Sequence, residues 1–206
     1  MRRKVVIVDY GTGNLSSVRR AVIRAGAECR VSSEAADIES SDKLILSGVG
    51  HFESAMANLR KSGLIEAMEK AVMIDRKPIL GICLGMEVMA KTSEEGSAAG
   101  LGWFNAKAVR FKSSDKLKYK VPHIGWNQVR VKKDSPLMKK IPDSAEFYFI
   151  HSYYLNLEDE SDLLNETNYE VKFPAAIAKD NIFGVQYHPE KSHKVGQQLL
   201  ENFIEL

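Results

Sequence analysis

The chain has 206 residues, of which 44% are hydrophobic and 27% are charged, as is typical of a soluble globular protein with a substantial core. Its 29 basic and 27 acidic residues give a formal net charge of +2, so bulk charge gives no reason to expect nucleic-acid or membrane binding. The apolar run at residues 5–8 is too short for a signal peptide or a membrane span. Two distant cysteines, Cys29 and Cys83, form no disulfide framework and fit a reducing cytoplasm. We expect a single cytoplasmic domain over residues 1–206.

The first half of the chain alternates strand and helix signals. Apolar runs predict buried strands at residues 4–9, 28–31, 43–46 and 78–83. Helical periodicity predicts helices at residues 15–25, at 59–68 with a bend near Gly63, and through Met86, Val88 and Met89. This alternation predicts an α/β fold with a mostly parallel sheet flanked by helices.

The second half has a different pattern. Alternating residues at 104–111, 128–131 and 146–150 predict additional antiparallel strands. Residues 182–186 read as a strand that delivers His188, and residues 195–206 as a closing helix.

The pentapeptide Gly81-Ile82-Cys83-Leu84-Gly85 lies where a strand turns directly into a helix. A turn this sharp needs small neighbours, as in a nucleophile elbow. A thiol at a helix N-terminus is expected to favour the thiolate. On this pentapeptide alone, a buried structural cysteine is as good an interpretation as a nucleophile.

The triplet His188-Pro189-Glu190 supplies a base and a carboxylate two residues apart. In an extended segment both side chains point the same way, so Glu190 can hold the far nitrogen of His188. Together with Cys83 they indicate covalent attack on a carbonyl. Gly48 and Gly50, directly after a buried strand, could leave backbone N–H groups free for an oxyanion.

Six motifs carry a resemblance over nearly the whole chain. They are Asp9-Tyr10-Gly11-Thr12-Gly13-Asn14, Gly48-Val49-Gly50-His51-Phe52, residues 81–86, Pro122-His123-Ile124-Gly125-Trp126-Asn127, Tyr148-Phe149-Ile150-His151-Ser152-Tyr153 and His188-Pro189-Glu190-Lys191-Ser192. With them the chain resembles the class I, triad-type glutamine amidotransferases, whose fold is flavodoxin-like. More narrowly, it is similar to the family of glutaminase subunits of imidazole glycerol phosphate synthase.

This resemblance implies a role for each matching residue. Cys83 would attack the side-chain amide of L-glutamine, with His188 as base and then acid and Glu190 as its orienter. The N–H groups of Gly50 and Leu84 would form the oxyanion hole. The amino-acid end of glutamine would be held by Glu87, Ser152 and Tyr153. No cofactor or metal is implied. His51, His123 and His151 are expected to serve packing or structural hydrogen bonds, while the place of His123 and His151 in the family motifs leaves open a role near the active-site rim or the interface.

The resemblance also implies a partner. Ammonia would pass to a (β/α)8-barrel cyclase, the synthase subunit of a heterodimer, for imidazole ring formation in histidine biosynthesis. The matching interface positions are Thr12, Asn14, Trp126, Asn127, Tyr148 and Lys191. The isolated subunit is expected to have low glutaminase activity.

The chain departs from the family pattern at two positions. Glu87 stands where the family usually has glutamine, and Ser47 stands where its oxyanion loop usually begins with proline. Both leave open a paralogue with the same glutaminase chemistry and another acceptor, such as amidine formation on a surface-polysaccharide sugar. A cysteine-containing stress hydrolase or chaperone of similar fold is the alternative from a different class.

Overall fold

A computed structural model describes residues 2–115 and 117–206. The strands are β1 (Lys4–Val8), β2 (Glu28–Ser32), β3 (Lys43–Gly48), β4 (Ile79–Cys83), β5 (Ala90–Ser93), β6 (Phe104–Arg110), β7 (His123–Gln128), β8 (Arg130–Val131), β9 (Glu146–His151), β10 (Tyr153–Leu157), β11 (Leu163–Tyr169), β12 (Val171–Lys179) and β13 (Ile182–Val185). The α-helices are α1 (Leu15–Arg24), α2 (Ala35–Ser40), α3 (Phe52–Ser62), α4 (Leu64–Glu69), α5 (Leu84–Glu87) and α6 (His193–Glu205). Among the described residues, no helix is long and apolar enough to cross a membrane.

An eight-stranded sheet forms the centre of the fold, in the order β2-β1-β3-β4-β13-β12-β11-β8. Its first five strands are parallel, and the pairings beyond β13 are antiparallel. Two smaller sheets, β10-β6-β5 and β7-β9, come from the second half of the chain. The predicted α/β class with additional antiparallel strands is therefore confirmed.

Each face of the central sheet carries its own core. Val5 and Ile7 pack into one buried cluster, and Val6 and Val8 pack into the other, as the two-residue period of a strand requires. Helices α1 and α6 contribute to the first cluster, and α3 and α4 to the second. The continuous apolar runs of the central strands follow from this two-sided burial.

The helix after Cys83 is shorter than the sequence predicts. It ends at Glu87, and Val88 and Met89 lead into β5. The carbonyl oxygens of Val88 and Met89 accept hydrogen bonds from the N–H groups of residues 101 and 104, so they are not available to extend a helix. The prediction of one strand at 128–131 was also wrong, because β7 ends at Gln128 and β8 is only two residues long.

Three adjacent strands place the predicted chemistry at one edge of the sheet. Gly48 at the end of β3 pairs with Cys83 at the end of β4. His188 follows the next strand, β13, by three residues. The carboxyl ends of neighbouring parallel strands are where open α/β sheets bind ligands.

Candidate active site

Cys83 occupies the strained turn that its small neighbours predict. Its φ of +54° lies in the left-handed region that non-glycine residues rarely adopt. A Cβ atom on Gly85 would overlap the carbonyl oxygen of Leu46, and one on Gly81 would lie 2.8 Å from the carbonyl oxygen of Gly85. These close approaches require glycine at both positions. The side chain of Cys83 is held at the edge of the sheet as in a nucleophile elbow.

The surroundings of Cys83 raise the pKa of its thiol, contrary to the thiolate expected from the sequence. Burial raises its pKa, the carboxylate of Glu87 raises it further, and a hydrogen bond with the backbone of Leu84 lowers it by less. Helix α5 is a single turn, so its dipole is too small to outweigh the loss of hydration. The thiol donates a long hydrogen bond of 3.8 Å to the carbonyl oxygen of Ile150.

His188 and Glu190 form a tight pair. The Nδ1 atom of His188 lies 2.8 Å from Oε1 of Glu190, and their side chains are only 2% and 4% exposed. The backbone is not extended as predicted: residues 189–191 form a 3-10 turn, which still brings the two side chains together. The His188 N–H donates to the carbonyl oxygen of Tyr148 at 2.9 Å, and the Ser192 hydroxyl donates to the His188 carbonyl oxygen at 2.6 Å.

This pairing leaves the other imidazole nitrogen available. With Nδ1 donating to Glu190, Nε2 of His188 carries the lone pair that a general base uses. Nε2 is buried and has no hydrogen-bond partner among residues 2–115 and 117–206. An unpartnered buried acceptor calls for an explanation, and a catalytic role is one such explanation.

The glycine-bearing loop after β3 lies beside the nucleophile. Gly50 has a φ of +124°, a conformation open only to glycine, and no atom lies within 4 Å of the position its Cβ would take. At Gly48 a side chain would overlap the hydroxyl of Tyr10, so this position also requires glycine. That the N–H groups of Gly50 and Leu84 form an oxyanion hole stays a prediction.

A cavity of about 420 Å³ opens over Cys83. Its size suits a small metabolite. Its walls bring together six of the predicted site residues, Gly50, Leu84, Glu87, Ser152, Tyr153 and Lys191, together with Val49, Glu95, Pro122, Ile150 and His151.

Glu87 is the buried carboxyl group of this cavity. It is 5% exposed, and burial raises its pKa to about 7. Gln186 Nε2 donates to Glu87 Oε1 at 2.8 Å and lies 3.9 Å from the sulfur of Cys83. Sequence reasoning missed Gln186. Its place two residues before His188, at the end of a strand, was the available signal.

The predicted interface residues are partly assembled. Tyr148 lies edge-on to Trp126, with ring centroids 5.9 Å apart, and beneath the amine of Lys191 at 5.8 Å. Trp126 is 44% exposed. Thr12 contacts the glycine loop at Gly48, while the exposed Asn14 and the half-buried Asn127 lie outside the aromatic group.

His123, His151 and His193 make contacts with other side chains. Over the described part of the chain, no group of three or more histidine, cysteine, aspartate or glutamate residues could hold a metal ion. His123 and His151 instead approach each other directly, with Nδ1 of the first 3.0 Å from Nε2 of the second. His193 is exposed and stacks on Trp126, with 4.9 Å between the ring centroids.

The fold and this site define a glutamine amidotransferase. The family model "Glutamine amidotransferase class-I" matches residues 6–206, and the chain belongs to this family of enzymes. Among curated relatives, the "Imidazole glycerol phosphate synthase subunit HisH 2" of Pseudomonas aeruginosa is 49% identical over 98% of this chain and 99% of its own. The "Imidazole glycerol phosphate synthase subunit HisH" of Methanocaldococcus jannaschii is 43% identical over 97% of this chain and 98% of its own.

Solved structures share the fold at lower identity. PurLQS from Thermotoga maritima gives a TM-score of 0.77 at 16% identity, over 100% of this chain and 99% of that chain. A crystal structure of a glutamine amidotransferase gives 0.74 at 19% identity, over 97% of each chain. The predicted fold and family are therefore confirmed.

Proposed function

We propose that this protein is the glutaminase subunit of an imidazole glycerol phosphate synthase, hydrolysing L-glutamine to glutamate and ammonia at Cys83. The observation that carries this proposal is the cavity over Cys83, with the paired His188 and Glu190 following the neighbouring strand β13. The full-length relatives named as subunits of that synthase support the pathway.

The proposed reaction proceeds through a thioester. His188 Nε2 takes the thiol proton as the sulfur of Cys83 bonds to the side-chain amide carbon of glutamine. The N–H groups of Gly50 and Leu84 stabilise the tetrahedral oxyanion. His188 then protonates the amide nitrogen, the C–N bond breaks, and ammonia leaves.

Hydrolysis of the thioester returns the site to its starting state. Water gives a proton to His188 and its oxygen bonds to the acyl carbon. The C–S bond then breaks, glutamate leaves, and the sulfur recovers the proton from His188. Glu190 accepts the hydrogen bond from Nδ1 of His188 and stabilises the imidazolium that forms twice in the cycle.

Substrate recognition falls to the other wall of the cavity. The carboxyl group of Glu87 and the Ser152–Tyr153 segment would hold the amino-acid end of glutamine. A carboxylate accepts hydrogen bonds from the substrate ammonium and attracts its charge, but it lacks the donor of the amide usually found in the family.

The ammonia acceptor is a (β/α)8-barrel cyclase subunit bound as a heterodimer, which uses the ammonia to close an imidazole ring. The exposed Trp126 with Tyr148 and Lys191 supports a docking face beside His188, because tryptophan and tyrosine are enriched at interfaces.

The decisive experiment measures glutamate release by this chain alone, with the histidine-pathway barrel subunit, and with that subunit plus its acceptor ligand. Activity should be low alone and rise strongly with both additions. Basal hydrolysis that this partner never stimulates would indicate another acceptor, such as the amidine-forming synthase. Absence of hydrolysis under every condition would contradict the glutaminase itself.

A further inference from the structure

The buried pair His123 and His151 belongs to a longer chain of hydrogen bonds. Nδ1 of His151 lies 2.6 Å from the carbonyl oxygen of Tyr153. Nε2 of His151 lies 3.0 Å from Nδ1 of His123, whose Nε2 lies 3.5 Å from the side-chain nitrogen of Asn127. The chain thus runs from the wall of the glutamine cavity to Asn127, an interface position implied by the family resemblance.

The inner end of the chain fixes where its protons are. A carbonyl oxygen can only accept, so His151 must carry its proton on Nδ1 and donate to Tyr153. Nε2 of a neutral His151 is then an acceptor. His123 must therefore carry its own proton on Nδ1 and donate to it, which leaves Nε2 of His123 as an acceptor.

At the Asn127 end of the hydrogen-bond chain, the contacts of the amide group independently require the same direction of donation. The backbone N–H of Gln128 donates to the side-chain oxygen of Asn127 at 2.9 Å, so the amide group presents its NH₂ end to the interior. One of the two amide hydrogens goes to the carbonyl oxygen of Asn168 at 3.0 Å. The other is available to the acceptor nitrogen of His123. Donor and acceptor roles agree at every link.

The surroundings keep both imidazoles neutral. Burial lowers the pKa of His123 to about 4 and that of His151 to about 3, and no acidic side chain is among the causes of either shift. His123 is stacked between Tyr169, at 4.0 Å between centroids, and Phe149, at 5.0 Å. Phe111 and Phe173 pack on His151 at 5.3 Å each.

The hydrogen bond between His151 and Tyr153 braces a corner between two strands. Ser152 is the only residue between β9 and β10, and these strands belong to different sheets. The ring of His151 spans this corner by bonding to the carbonyl oxygen of Tyr153. Both Ser152 and Tyr153 line the cavity over Cys83, so the angle of the corner sets the position of the cavity wall.

We propose that His123 and His151 are positioning residues that hold the Ser152–Tyr153 corner in its glutamine-binding geometry and tie it to Asn127. The inference rests on the proposed function, since it assigns the corner to glutamine binding. The 3.5 Å contact is the longest link, so the Asn127 end is where the chain is most easily broken.

Two substitutions at His123 separate hydrogen bonding from packing. His123→Phe keeps an aromatic ring between Tyr169 and Phe149 but removes both nitrogens. His123→Gln, the matched control, keeps one donor towards His151 and one acceptor towards Asn127. In the complex with the barrel subunit, His123→Phe should raise the KM for glutamine about tenfold, with a smaller change in kcat, as for the loss of one buried hydrogen bond. His123→Gln should restore the KM to within about threefold of the wild type.

A second measurement tests the hydrogen-bond chain without an activity assay. The protein has five histidines, so long-range ¹H–¹⁵N correlations can assign the proton of each ring. At pH 7, His123 and His151 should both be neutral and protonated on Nδ1. The signal of His151 should change in His123→Phe and persist in His123→Gln.

The outcomes separate this inference from the proposed function. A proton on Nε2 of either ring, or a KM unchanged in His123→Phe, would overturn the inference even if the wild type is an active glutaminase. Equal losses in His123→Phe and His123→Gln would overturn it too, because packing alone would then explain them. A wild type that never hydrolyses glutamine would contradict the proposed function, while the proton positions would still test the hydrogen-bond chain.

Discussion

At Cys83, two properties of the surroundings oppose each other. The strained turn sets the side chain of Cys83 at the edge of the sheet, but burial and the carboxyl group of Glu87 raise the pKa of its thiol. The thiol also bonds towards the carbonyl of Ile150, while Nε2 of His188 has no partner in the described chain. In the proposed mechanism, the thiol turns from the carbonyl oxygen of Ile150 to Nε2 of His188.

Replacing the nucleophile should separate the two halves of the proposed complex. In Cys83→Ala, glutamine-dependent synthesis should fall to background because no thioester can form, while ammonia-dependent synthesis by the barrel subunit should be unchanged. Product formation with each nitrogen source is the measurement. Cys29→Ala, at the other free cysteine, should keep both activities. Loss of both in Cys83→Ala would assign this cysteine a structural role.

Glu87 should make stability depend on pH. Its pKa is about 7 in the folded protein against an ordinary 4.5, so the unfolded chain loses this proton first as pH rises. The folded state therefore loses stability between about pH 4.5 and 7, by roughly 3 kcal/mol for a shift of this size. Glu87→Gln removes the ionisation and can still accept from Gln186.

Urea unfolding at pH 4 and pH 8 measures this effect. Glu87→Gln should match the wild type at pH 4 and exceed its free energy of unfolding by up to roughly 3 kcal/mol at pH 8. The control Glu69→Gln, at an exposed position, should have the same free energy of unfolding as the wild type at both pH values. An equal difference at both pH values would show that Glu87 does not ionise in this range. In activity assays, Glu87→Gln should change the KM for glutamine more than kcat.

At the scale of elements, long-range contacts decided what local patterns could not. The apolar residues Val88 and Met89 continue a helical pattern, yet α5 stops at Glu87 because their carbonyl groups pair with residues 101 and 104. The predicted contact between His188 and Glu190 is present, although a 3-10 turn rather than an extended segment makes it. Gln186 and Glu87 bond across 99 positions, which no local pattern can indicate.

The glycine loop offers a test of the oxyanion hole. Gly50→Ala introduces a side chain at a φ of +124°, so the loop must move at a cost of about 1–3 kcal/mol. The kcat for glutamine in the complex should fall at least about tenfold, as when an oxyanion donor is displaced.

Gly63→Ala is the matched control. Gly63 also has a positive φ, +67°, and no atom within 4 Å of its Cβ position, but it lies between α3 and α4, away from the cavity. The Gly63→Ala variant should lose about 1 kcal/mol of stability and keep its glutaminase activity. Comparable kcat values for the two variants would argue against a catalytic loop.

At the scale of the molecule, the central sheet was predictable and its extension was not. Runs such as Val5–Val8 are apolar because both faces of the sheet are covered, and this pattern is local. Strand β10 pairs with the distant β6, so local alternation could not give its place, while the hairpin of β11 and β12 was missed although its pairing is local. The family motifs indicated the residues around the cavity, whereas the raised pKa of the Cys83 thiol follows from burial in the folded chain.

The docking face also belongs to this scale. Trp126→Ala should weaken binding of the barrel subunit at least about tenfold, since exposed tryptophans are common hot spots. Ile74→Ala, at a residue that is 74% exposed on the segment after α4, should leave this affinity unchanged. Titration calorimetry with the barrel subunit measures both, and equal affinities would place the interface elsewhere.

The burial of the Cys83 thiol has a consequence for its chemical reactivity. Peroxide and alkylating agents react with the thiolate, and oxidation beyond the sulfenic acid is generally irreversible. Cys83 is 6% exposed and burial raises its pKa, so it presents less thiolate to these reagents than an exposed cysteine does. The surroundings that raise the pKa of this thiol therefore also protect it from oxidation and alkylation.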